Sequence, residues 1–372
     1  MNLKKHPAAL LFMGLFTLSA AAQEQPWTLT AYFENDLFAN TDQSYTNGVR
    51  LSWISPDVSS YERDKRLPGF IRSINDTLHF FHDINTRSCG DPDAKPRACL
   101  RRNLVISLGQ IMFTPKDRLA SEVIQDDRPY AGYLYATFGY HTRDETQLDT
   151  IEVSLGLVGP ASLAQESQDF IHKLRGIPRF KGWDNQLRNE PVLQVLYEHK
   201  HKTELGLIAP GWQGPDWMQS RWLPRHDLIT HFGTNLGNAR VYANAGFEYR
   251  IGLGLPDDFG SAALRPGGDN SAPGRDDPRM APDGTDPLGQ GSLHLFTALD
   301  ARWVLHDIFL DGNTFRDSHS VDKRPVVGDL SVGLGLLYER WKVSVAMVWR
   351  SKTFDKQDGV HKFGSISLSY TY

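Results

Sequence analysis

Apolar and polar side chains alternate residue by residue along most of this sequence, and a period of two fits strands whose two faces meet different surroundings. In the last stretch Ile366, Leu368, Tyr370 and Tyr372 fall on one face, and Ser365, Ser367, Ser369 and Thr371 on the other. Trp341, Val343, Val345, Met347 and Trp349 repeat the pattern with aromatics at both ends of the apolar face, opposite Lys342, Ser344 and Arg350. From Val241 to Ile251 the apolar set alternates with Arg240, Asn244, Glu248 and Arg250, charges of both signs that can pair inside a closed sheet.

Similar stretches run from Trp27 to Glu34, Thr46 to Ser55, Leu104 to Phe113, Tyr133 to His141 and Thr150 to Leu157. Others run from Val192 to Glu198, Asp227 to Thr234, Leu293 to Val304 and Leu330 to Tyr338. These make about twelve segments, each near the length a tilted strand needs to cross a bilayer. A soluble exported sandwich also alternates, but its buried face needs no tryptophan or tyrosine at the ends, where a membrane strand meets two interfaces. The expected fold is therefore all-β: a twelve-stranded antiparallel transmembrane β-barrel with a short extracellular helix and two long periplasmic insertions, one domain over 23–372. Glu204 to Ile208 is read as a turn or strand extension, because termini on the same side of the membrane require an even number of strands.

The start of the chain predicts export to that membrane. Lys4 and Lys5 precede an apolar stretch from Ala8 to Leu18, and Ala20, Ala21 and Ala22 supply small residues for cleavage before Gln23. This predicts a signal peptide over 1–22; the apolar run is well short of the ~20 residues of a spanning helix. Cys89 and Cys99, the only two cysteines, flank a polar turn-rich stretch and would meet an oxidising compartment, so a local disulfide is expected. A formal net charge of −4 gives no basic face for nucleic acid.

Strand parity from a periplasmic amino terminus assigns the loops. Leu37 to Gln43, Thr114 to Asp127, Gly159 to Glu190 and His306 to Lys323 fall outside; Pro56 to Leu100 and Leu255 to Gln290 fall in the periplasm. The second insertion is crowded with Gly, Pro and Asp and reads as flexible. Ala161 to Leu174 lacks Gly and Pro and predicts a short helix, with Gln168 and His172 four apart on one face. Asn35 and Asp36 end the first strand and Thr46 opens the second, so one hairpin gathers an amide, a carboxylate and a hydroxyl at the outer rim, with Thr46 expected to point inward beside Gly48, Arg50 and Ser52. Taken singly, Asn, Asp and Thr are ordinary turn residues and a histidine on a surface helix is ordinarily solvated. Shared placement at one rim is what makes them candidates.

These residues carry a family resemblance. Glu34-Asn35-Asp36-Leu37-Phe38 followed by Tyr45-Thr46-Asn47-Gly48 resembles the opening of the lipid A 3'-O-deacylase (LpxR-type) family. Gln110 to Pro115, Asp126 to Gly132, Gly159-Pro160 with Gln168 and His172, Gly182-Trp183, Phe309 to Phe315 and Phe363-Gly364-Ser365 extend the likeness over nearly the whole mature chain. The resemblance implies an outer-membrane esterase that removes 3'-linked acyl chains from lipid A with Ca²⁺. By motif, Asn35, Asp36, Thr46, Gln168 and His172 are its site positions.

The residue types suit that chemistry. A neutral His172 can take a proton from water as it attacks an ester, Gln168 can orient the ring or the water, and Thr46 can position hydrogen bonds. Asp36 and Asn35 offer hard oxygens to Ca²⁺. The expected partners are lipopolysaccharide and outer-membrane lipids, with the chain acting as a monomer. Two other functions compete: a serine-type outer-membrane phospholipase, for which no Gly-x-Ser-x-Gly elbow occurs, and a non-catalytic porin.

Overall fold

The computed structural model describes residues 26–36, 44–58, 61, 64–78, 100–208, 223–261, 271–274, 277–280 and 291–372. The expected signal peptide and both cysteines lie outside these residues.

Twelve antiparallel strands close into a barrel in which each pairs with its sequence neighbours and β1 pairs with β12. They are β1 (Thr28–Asn35), β2 (Ser44–Ile54), β3 (Arg101–Thr114), β4 (Ala131–Arg143), β5 (Gln147–Val158) and β6 (Glu190–Leu207). The second half is β7 (Pro224–Gly237), β8 (Arg240–Leu253), β9 (Ser292–Asp307), β10 (Val326–Tyr338), β11 (Trp341–Arg350) and β12 (His361–Thr371). Every alternating stretch in the sequence is one of these strands. Residues 204–207 extend β6 across a bulge between Glu204 and Gly206.

Closure runs to the last residue, because the amide and carbonyl of Trp27 exchange hydrogen bonds of 2.9 and 2.8 Å with those of Tyr372. At this end Trp341 and Tyr370 lie 4.5 Å apart and Tyr370 stacks on Tyr372, forming part of an aromatic girdle. No helix among the described residues is long and apolar enough to cross a membrane. The apolar set faces out, with Leu193, Leu295, Trp303, Leu334 and Val345 exposed. The polar set faces in and carries ion pairs: Arg50 reaches Glu152 at 2.7 Å, and Arg302 and Arg350 share Asp329. Inward charges with partners remain compatible with a low-dielectric wall, whereas an isolated one would be costly.

Both ends of the lumen are filled. Helix α3 (Ile308–Asp311) buries Ile308, Phe309 and Leu310 at the end opposite the termini. There Phe309 packs 4.6 Å from Phe113, and Arg128 and Arg240 lie over these rings. At the end bearing the termini, the insertion after β8 enters the barrel, which corrects the expectation of a flexible segment for its described part. Its Asp258 pairs with Arg250 of β8, Lys342 of β11 and Arg279 further along the insertion. Asp257 pairs with Lys202, and the Phe259 carbonyl accepts from Lys200. The aspartates that made this stretch look disordered find inward cations on the strands, and those ion pairs hold it. The other insertion folds back on the outer wall through helix α1 (Gly69–Thr77), whose Ile71 joins Val58, Tyr61, Leu67, Leu104 and Tyr140 in one apolar cluster.

Candidate active site

The site is built on the rim end of β1 to β4. Strand register aligns Asn35 with Asn47, Asn47 with Met112, and Met112 with Gly132, a row on the outward face. At about 4.8 Å per strand, Asn35 stands roughly 14 Å around the wall from Gly132. One pleat below runs a second outward row, Phe33, Val49, Gln110, Leu134 and Leu157, in which Phe33, Val49 and Leu157 are exposed. The upper row is buried and, at Asn35 and Asn47, polar, whereas Phe33 and Val49 beneath them are apolar and open. Asn35, Asp36, Thr46 and Asn47 are all buried, Asp36 completely.

Thr46 departs from the inward placement that simple alternation gives it. A bulge between Tyr45 and Asn47 makes Thr46 an extra residue in β2, so Tyr45 is the one that pairs with inward Phe113. Thr46 Oγ1 instead lies 2.7 Å from Oγ1 of Thr114, the next residue along β3 and on the outward side with Met112. Bulges re-aim a side chain in this way. The result brings the hydroxyl to the same wall as Asn35 and Asn47.

Helix α2 (Ala164–Arg175) lies against that wall. A Cβ at Gly132 would overlap Ala164 and Ser162, so the absence of a side chain there lets the helix approach the strand. Gln110 Nε2 donates to the Ser162 carbonyl at 2.7 Å, a second tie between β3 and the turn leading into the helix. Leu163 at φ 58° separates the turn at Pro160–Ser162 from α2, so the single helix expected from 161 is two pieces. The buried face of α2 is Ala164, Gln168 and His172, spaced by four. Met112, Tyr130, Ala164, Phe180 and Trp183 form the apolar packing beneath it.

Local geometry fixes both polar side chains. Gly176, at φ 68°, ends α2, and the amide of Ile177 returns to the His172 carbonyl at 2.9 Å. That reversal brings the Pro178 carbonyl to 2.8 Å from His172 Nδ1. A carbonyl only accepts, so Nδ1 carries the proton, and a neutral ring has its basic lone pair on Nε2. Trp183, 1% exposed, donates its indole N–H to Gln168 Oε1 at 2.7 Å. The amide is thereby oriented, and its Nε2 donor is buried without a hydrogen-bond acceptor among the described residues. Gly182-Trp183 was legible as a motif, but its role as the orienter of Gln168 was not.

The described residues hold no group of three or more His, Cys, Asp or Glu side chains gathered for a metal. What Asp36, Asn35, Thr46 and Asn47 offer is one buried carboxylate with neutral oxygen donors and no sulfur or imidazole, a set whose chemistry fits Ca²⁺ rather than a softer ion. Asp311-Gly312-Asn313, at the same rim, is a turn. Asp311 pairs with Lys323, Gly312 has φ 83°, and Asn313 donates to the Arg188 carbonyl.

A family model described as "Outer membrane protein LpxR" matches residues 9–372. The chain belongs to the LpxR family. It is an outer-membrane protein, and its two termini lie at one end of the barrel. LpxR from Salmonella typhimurium has the same fold at 13% identity and TM-score 0.64, covering 93% of this chain and 100% of that one. The β domain of the Bordetella autotransporter BrkA (8% identity, TM-score 0.40, 94% and 98% covered) resembles this chain far less closely. The same holds for the translocator domain of NalP from Neisseria meningitidis (9% identity, TM-score 0.34, 93% and 87% covered). No curated protein matches the chain by sequence.

Proposed function

We propose that this LpxR-family protein is an esterase of the outer leaflet that removes 3'-linked acyl chains from lipid A. The observation that carries the reading is the two-row wall: a buried polar row with Asn35, Asn47 and the re-aimed Thr46, one pleat or roughly 7 Å above an exposed apolar row. Acyl chains would run along the lower row, and an ester at the top of those chains would lie at the height of the upper one.

In this reading His172 accepts the proton of an attacking water at Nε2, while its Nδ1–H stays on the Pro178 carbonyl. The Gln168 Nε2 donor suits an oxygen that gains negative charge, as the ester carbonyl does when attacked. Thr46, held by Thr114, positions the hairpin side of the site. Asp36 and Asn35 would hold Ca²⁺, which supplies polarisation of the ester carbonyl when bound. A porin is disfavoured because described residues fill both ends of the lumen.

Mass spectrometry of lipid A from cells expressing the parent, His172→Ala and Asp36→Ala tests this. The parent is expected to release 3' acyl chains and both variants to lose that activity while remaining folded. A parent that releases none with calcium present ends the proposal.

A further inference from the structure

Helix α2 carries a second face that the catalytic reading does not use. Leu163, Phe170, Ile171 and Leu174 are 53, 66, 36 and 74% exposed, large apolar residues directed away from the protein. At about 100° per residue, Phe170, Leu174 and Ile171 occupy one sector roughly 100° wide, beside the buried sector of Ala164, Gln168 and His172. Glu166, Asp169 and Lys173 fill the remaining arc. The helix therefore presents three sides: one to the wall, one polar, and one apolar and exposed among the described residues.

We infer that this apolar face is inserted among the acyl chains of the outer leaflet, so that α2 lies in the membrane interface rather than above it. Two observations name the occupant. The first is continuity: α2 packs on Gly132 and Met112, above the outward row whose Phe33, Val49 and Leu157 are apolar and exposed on the outer wall of this membrane barrel. The second is charge. From Ala164 to Lys181 the chain carries Lys173, Arg175, Arg179 and Lys181 against Glu166 and Asp169 alone, a surplus that suits the phosphates bordering the acyl layer. Only Arg179 of these four has an ion-pair partner within α2, Asp169 at 3.2 Å. An exposed apolar sector flanked by cations is what an interfacial helix needs, and in water it would be an aggregation liability.

Such a helix parts the lipids beside the site and keeps His172 and Gln168 at ester depth. The inference deepens the lipid A reading, but it rests on the placement of α2 and not on turnover. The test is photo-crosslinking of the full chain in outer membranes, with Leu174→p-benzoylphenylalanine and, separately, Lys173→p-benzoylphenylalanine. Position 174 is expected to capture lipid, read as an adduct of lipid mass, at least about five-fold more than position 173, which lies about 100° around the helix. Capture of a second copy of the chain at 174, or equal lipid capture at both positions, overturns it. The same measurement in a His172→Ala background gives the same answer whether or not the protein hydrolyses lipid A.

Discussion

At the residue scale, two hydrogen bonds decide what the site side chains can do. His172 is set by a backbone carbonyl and Gln168 by an indole, so the two partners are predicted to differ in their response to mutation. Trp183→Phe keeps the aromatic packing on Tyr130 but removes the donor to Gln168 Oε1, freeing the amide to flip. Deacylation is expected to fall roughly ten-fold, the loss of about one hydrogen bond's worth of orientation, with the fold unchanged by heat-modifiability on gels. His172→Ala removes the proposed proton acceptor and is expected to cost about 10²- to 10⁴-fold in the same mass-spectrometric assay. Parental activity in Trp183→Phe would mean that the orientation of Gln168 does not serve the reaction.

At the element scale, α2 depends on two glycines for different reasons. Gly132 is a close approach, and any side chain there meets Ala164 and Ser162. Gly132→Leu is expected to lift the helix from β4 and abolish activity while the barrel still forms, since the strand ladder is untouched. Gly176 has open space around it but φ 68°, so its restriction is backbone alone. Gly176→Val should cost about 1 kcal/mol or more in the last turn and displace the Pro178 carbonyl from His172, whereas Gly176→Asn, which tolerates this conformation, should retain most activity.

At the scale of the whole molecule, described residues close the lumen at one end with the ion pairs of Asp258 and at the other with the buried side chains of α3. Purified protein in planar bilayers is expected to show no steady conductance. Asp258→Ala, which takes the carboxylate from Lys342 and one of two from Arg250 and Arg279, should destabilise this plug by roughly 3–5 kcal/mol and produce intermittent conductance. Burial alone would raise the Asp258 carboxyl, but Lys342, Arg250 and Arg279 together hold it well below the usual carboxylate range. A depressed carboxyl stabilises the fold fully above its unfolded value of about 3.9 and loses that contribution as pH falls further, through its folded value. The plug should therefore stay shut from neutral pH down to about pH 4 and loosen only in stronger acid, which conductance measured across that range would show.

Local sequence determined the strands of this protein, because a two-residue period with aromatic ends has one consistent solution at a membrane and each strand carries that signal alone. Parity then placed Asn35, Asp36, Gln168 and His172 at one rim without any tertiary information. Three features waited for the tertiary structure. The bulge at Tyr45/Asn47 reverses Thr46, since an extra residue between paired positions leaves no mark on the alternation around it. Pairing across as many as 84 residues decided the plug, because whether Asp258 looks disordered or buried depends on Lys342, which lies far along the chain. Contact between β4 and α2 decided the site, because Gly132 and Trp183 matter only for what they allow or hold in space.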